Sequence, residues 1–190
     1  MIGWGEIVAA VRGSLRLLAD DPRGMAAFDL SFTGFWRSFG VLLLMSPAAL
    51  ISILADRSFA ESTASTPVLV LVGILSYLVG WIAFPLVMLG LARPLGLSDR
   101  YVPLMVVRNW TTILGTLPYA AVTLLWLVGA LPRGIMFPAI ATAFGFELFL
   151  AFRATRIAAA VPPPVAAGLV VLDLLLTLLV DTEIARLFAV

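Results

Sequence analysis

The sequence has no cysteine and no histidine, and all 12 of its basic residues are arginine. Without cysteine there is no disulfide, no thiolate nucleophile and no Cys-ligated metal, and the redox compartment cannot be read. Without histidine as well, the usual zinc and haem ligand sets are missing, and so is the commonest general base. Charge is scarce: 12% of residues are charged, against about a quarter in a soluble domain. The net charge of +1 is carried by dispersed arginines, which excludes the basic patch that nucleic-acid binding requires. There is no Gly-rich phosphate loop after a strand and no pair of acids suited to metal ligation. Ser31 and Ser98-Asp99 have no activating base in view. The chain is therefore expected to lack enzymatic activity and to need no cofactor.

What the sequence does have is apolar length. Of its 190 residues 62% are hydrophobic, and the mean hydropathy is +1.11. A chain of this kind cannot cover its apolar surface with its own polar side chains, so the lipid bilayer is its expected solvent. A helix needs about 20 apolar residues to cross a hydrocarbon core of roughly 30 Å. Five stretches qualify or come close: Gly34–Leu54, Pro67–Ala92, Leu104–Leu131, Ile135–Phe152 and Pro164–Val180. A membrane barrel would show short alternating strands instead. The fold class is all-α, a single membrane domain over 1–190 with five spans in a helical bundle.

The arginines orient it. Arg12, Arg16, Arg23, Arg37, Arg93, Arg100, Arg108, Arg153 and Arg156 fall on one side of the alternating connections, and Arg57, Arg133 and Arg186 on the other. The positive-inside rule then places the N-terminus in the cytoplasm and the C-terminal tail outside. The opening residues, MIGWGEIVAAVRG, carry an early acid and no compact apolar core behind a basic region, so no cleaved signal peptide is expected.

Over residues 1–21, Trp4, Val8, Val11, Leu15 and Leu18 share one helical face, with Glu6, Arg12, Arg16 and Asp20 off it. This amphipathic segment is too charged to span. It fits a helix lying flat on the cytoplasmic leaflet, a helix packed on the inner end of the bundle or, as a smaller alternative, a surface for a soluble partner.

Four spans hold an internal proline: Pro47, Pro85, Pro118 and Pro138. Each removes a backbone hydrogen bond, which gives either ordinary curvature or the hinges of a transporter-like site. Gly73, Ser76, Gly80 and Ala83 form a small-residue stripe, suited to close helix approach within the chain or in a homodimer. Trp36-Arg37 and Arg108-Asn109-Trp110 open two parallel spans with similar residues, a faint sign of a repeat that shared interfacial chemistry explains equally well.

Ionisable groups inside the membrane are the default candidates for function. Glu147 lies in the cytoplasmic half of the fourth span. Asp173 lies nine residues past Pro164, roughly 13 Å along the fifth helix and near the midplane. Arg108 and Arg37 enter to depths comparable with Glu147, and an Arg–Glu pair between the third and fourth spans would fix their register. Asp173 has no equally obvious cation; Thr177, Tyr77, Asn109 and Thr112 are candidate partners, and a bound proton is the alternative. Tyr77 and Trp81, central in the second span, are placed to line the same interior.

The stretches Phe28-Asp-Leu-Ser-Phe-Thr-Gly-Phe-Trp-Arg37 and Trp81-Ile-Ala-Phe-Pro-Leu-Val87, set in a five-span layout, resemble the Yip family of small membrane proteins. That resemblance implies a protein that organises membranes or protein partners. The long cytoplasmic domain usual in eukaryotic members is absent, so Rab binding is not carried over. The Arg- and Ala-rich, Lys-free composition is similar to that of bacterial inner-membrane proteins. The competing expectation is a small transporter or channel subunit with a polar path near Asp173 and Glu147.

Overall fold

The computed structural model describes residues 2–59 and 65–188, with the side chains of 56–59 excepted. Among them there are seven α-helices and no strand: α1 Trp4–Leu18, α2 Phe32–Ser38, α3 Val41–Phe59, α4 Thr66–Leu91, α5 Tyr101–Leu127, α6 Arg133–Ala159 and α7 Pro163–Leu187. Five segments are long and apolar enough to cross a membrane: α2 with α3, α4, the turn at Ser98 with α5, α6, and α7. Residues 60–64 of the polar connection expected over 55–66, and the side chains of 56–59 including that of Arg57, lie outside the described residues, while 55–59 continue α3.

The helices begin and end where local chemistry dictates. Ser31 accepts from the Gly34 amide at 3.0 Å and caps α2. Gly34 is required there, because a Cβ would sit 2.0 Å from the Asp29 carbonyl oxygen. Gly129, at φ +73°, stops α5 in the left-handed conformation that glycine adopts without strain. The fourth helix runs on past the expected end at Phe152, because Arg153 and Arg156 have carboxylate partners there and continue the helix beyond its apolar stretch.

The first apolar run is interrupted at Phe39-Gly40 rather than at Pro47, which lies inside the continuous α3. The carbonyl of Leu43, four residues before Pro47 and so deprived of its helical donor, accepts from the Ser46 hydroxyl at 2.8 Å. Pro85, Pro118 and Pro138 likewise sit within unbroken helices. The two similar span openings diverge in three dimensions: Trp36 is 62% exposed, while Trp110 is 2% exposed in the core.

The five long helices form a ring. In cyclic order α3 packs on α5, α5 on α6, α6 on α7, α7 on α4 and α4 on α3, while α4 and α5 barely meet across the middle. At the α1 end the ring is filled. Leu104, Met105, Val106 and Val107 are at most 1% exposed and meet Met88, Phe84, Val41 and Ala158 in the core. Asn109, fully buried, donates to the Ser38 hydroxyl at 2.9 Å and joins α5 to α2 there.

Helix α1 lies across that closed end against α5 and α6. Its buried face is Ala10, Gly13, Ser14 and Leu17, not the apolar stripe. Trp4, 77% exposed, and Leu15 point away from the bundle. The helix thus buries Leu17 and a run of small residues against the bundle, Val11 of the stripe packs partly on the core, and Trp4 and Leu15 are left for the surroundings. Gly13 sets the approach, since a Cβ there would meet Ala27 and the Phe28 ring at 2.8 Å.

Ion pairs hold α1 at both ends. Glu6 pairs with Arg37 of α2, and Asp20 with Arg153 at 2.6 Å and with Arg156. Asp20 adopts φ +64°, a left-handed conformation that aspartate tolerates better than most residues.

Candidate functional site

Beyond the filled end the ring encloses a cavity of about 660 Å³, with walls from α3, α4, α5, α6 and α7. Its lining runs from Phe84, Arg108 and Leu169 at the floor to Asp181 and Ala185 near the end of α7. The sequence builds this space with small side chains. Gly80 faces it with nothing within 4 Å of a hypothetical Cβ, and Gly115 leaves room for Glu147, whose Cγ would lie 3.2 Å from a Cβ there. Close helix approach along the small-residue stripe is confined to Gly73, which meets Ile53 of α3; Ser76 and Gly80 open onto the cavity.

The floor carries a two-pronged ion pair. Arg108 Nε and Nη2 each donate to Asp173 at 2.8 Å, and the guanidinium lies 5.0 Å from the centre of the Phe84 ring. The planar fork of arginine matches a carboxylate in this way, and in the membrane each charge satisfies the other. The expected pairing of Glu147 with Arg108 is therefore corrected. Arg108 reaches across to α7, Arg37 is held at the α1 junction by Glu6, and Glu147 accepts from the Thr116 hydroxyl at 3.2 Å. The alternatives weighed for Asp173 are corrected too. Thr177 donates to its backbone carbonyl, Tyr77 donates to the Leu42 carbonyl at 2.7 Å, Thr112 donates to the Arg108 carbonyl, and Asn109 faces Ser38.

Of the residues singled out from the sequence, Asp173, Glu147, Arg108 and Tyr77 come together around the cavity, and Trp81 lines it with them. Arg37 and Asn109 serve the closed end instead. Asp181 is an addition: it is exposed at the mouth and lies within reach of Ser76. Its spacing was the available signal, because Asp173, Thr177 and Asp181 follow one another at four-residue steps along one helix face. Among the described residues, no three of His, Cys, Asp and Glu converge as metal ligands. No known protein family, curated protein or solved structure matches this chain.

Proposed function

We propose that this integral membrane protein is a small transporter or channel component that admits a polar solute into the chamber at the centre of its helix ring. The observation that carries the reading is the chamber itself. A ring of five apolar helices surrounds Arg108, Asp173, Glu147 and Asp181, and charged groups at such depth are costly unless they serve a passing or bound solute or one another. The floor is sealed by the packed core at the α1 end, so the arrangement corresponds to a state open on one side only. With the orientation implied by the arginines, that open side is the outer one.

The absence of cysteine makes the test direct. Single substitutions Ser52→Cys, Thr116→Cys and Thr177→Cys place one thiol each on the chamber wall. A charged, membrane-impermeant thiol reagent is expected to label all three in intact membranes, and to leave Ser14→Cys and Ser38→Cys in the filled end unlabelled. A chamber filled by lipid would leave Thr116→Cys unlabelled, and the reading would fail.

A second reading, a protein that organises membrane or protein partners as the Yip resemblance implies, draws on the exposed Trp4 and Leu15 of α1. Recovery of a stoichiometric partner in mild detergent, lost in Trp4→Ala/Leu15→Ala, would favour it.

A further inference from the structure

The chamber has a chemical polarity of its own. Its hydroxyl groups are mostly spent as donors. Ser52 donates to the Ala48 carbonyl at 3.1 Å, Thr111 to Val107 at 2.8 Å, Thr112 to Arg108 at 3.0 Å and Thr177 to Asp173 at 3.0 Å. Thr116 donates to Glu147, and Tyr77 to Leu42. A hydroxyl whose proton is committed to its own helix or to a carboxylate offers only oxygen lone pairs to anything else.

Charge points the same way. Among the described residues lining the chamber, Arg108 is the one cation against three carboxylates. Asp173 holds Arg108 with both oxygens, which leaves Glu147 and Asp181 as two carboxyls beyond that hydrogen-bonded pair. The aromatic side chains of Tyr77, Trp81, Tyr119 and Phe144 complete the wall. Acceptor oxygens, two carboxyls beyond the ion pair and an aromatic lining together form a complement to a positively charged group that carries N–H donors.

We infer that the chamber binds a small protonated organic amine, with its ammonium group at Glu147 and its apolar body against the aromatic wall. Asp181, at the mouth, draws such a cation in; Asp173 and Asp181 stand eight residues and roughly 12 Å apart on α7, so mouth and floor are separate stations. A volume of about 660 Å³ lies within the ordinary range for small-molecule sites. This inference rests on the solute-chamber reading above and specifies its ligand class.

The test uses the full chain in detergent and three probes that share a phenethyl group: phenethylamine, phenethyl alcohol and hydrocinnamate. Binding is read by thermal stabilisation and by isothermal titration. The amine is expected to bind about tenfold or more tightly than either analogue, and Glu147→Gln to weaken it by about tenfold or more, because one partner of a desolvated charge pair is lost. Glu6→Gln, outside the chamber, is expected to leave the affinity unchanged. Equal binding of the three probes to the unmodified protein, or preference for the carboxylate, overturns the inference without recourse to any variant. Labelling of Thr116→Cys on the same preparation separates the two readings. A labelled chamber that ignores amines defeats the ligand class alone, whereas an unlabelled one defeats both.

Discussion

The two halves of the helix ring are built by opposite rules. At the α1 end, Leu104 to Val107 pack at near-zero exposure, Asn109 is tied to Ser38, and Gly13 admits a neighbour so close that no larger residue fits. At the far end, glycine serves the reverse purpose: Gly80 faces empty space, and the helices stand apart around polar side chains. Gly13 is spent on contact and Gly80 on volume, while Gly73 still packs against Ile53 on the chamber side. A membrane helix pair gains little from the hydrophobic effect, because lipid is as apolar as leucine. The filled half must therefore hold the bundle through packing and polar ties, which leaves the open half free to carry a site.

The largest effect is expected at the boundary between the halves. Arg108→Ala leaves Asp173 unpaired, and Asp173→Asn leaves Arg108 so. With the two side chains 19% and 27% exposed, each change should cost roughly 2–3 kcal/mol, somewhat below the figure for a fully buried pair. Thermal unfolding in detergent measures this, and the double variant Arg108→Met/Asp173→Leu should recover much of the loss. Equal stability of the single variants would mean that the pair does not tie α5 to α7.

Two alanine substitutions sharpen the contrast directly. Gly13→Ala forces a Cβ into Ala27 and Phe28, and overpacking of that kind costs about 1–3 kcal/mol. Gly80→Ala meets nothing and should be neutral or stabilising by roughly 0.5–1 kcal/mol, as alanine for glycine inside a helix. Opposite signs in the same unfolding assay are expected; a common sign would erase the distinction between contact and volume.

The smallest effect concerns the latch on α1. Hydrogen bonding from Arg156, with Arg153 beside it, holds the Asp20 carboxyl below its ordinary value of 3.8, against the opposing influence of desolvation. A depressed folded-state value contributes stability that is complete above the ordinary one and is lost as pH falls through the depressed one. The protection of α1 amides, with intrinsic exchange divided out, should therefore be flat from neutrality down to about pH 5 and fall only in stronger acid. The variant Arg153→Gln/Arg156→Gln should show fast exchange already at neutral pH.

Much of this was legible in the sequence, and the failures are instructive. Span number and helical class followed from run length, because a bilayer of fixed thickness leaves little choice. The run boundaries did not: hydropathy stopped the fourth span at Phe152, although Arg153 and Arg156 continue the helix when a carboxylate meets them. Asp173 and Arg108 were placed at different depths by counting rise along each helix. Arg108 stands seven residues into α5, roughly 10 Å, and the length of its side chain covers the remaining difference. Glu6 and Asp20 could be placed only off the apolar stripe, because their partners lie 31 and 136 residues away, which no local pattern reveals. The cavity was beyond reach altogether, since the same glycine stripe serves contact at Gly73 and emptiness at Gly80.

The cyclic order of the ring has a consequence for how it comes into being. Chain order and ring order differ: α4 packs on α3, and its other flank is covered by α7, the last helix of the chain. Until α7 arrives, the polar wall faces lipid through an open seam between α4 and α6. Arg108 is then a cation in hydrocarbon with no counter-ion, for its partner is carried by the helix still to come. The same residue that closes the ring thus neutralises its most costly charge. Without α7 the ring is open, and there is no chamber.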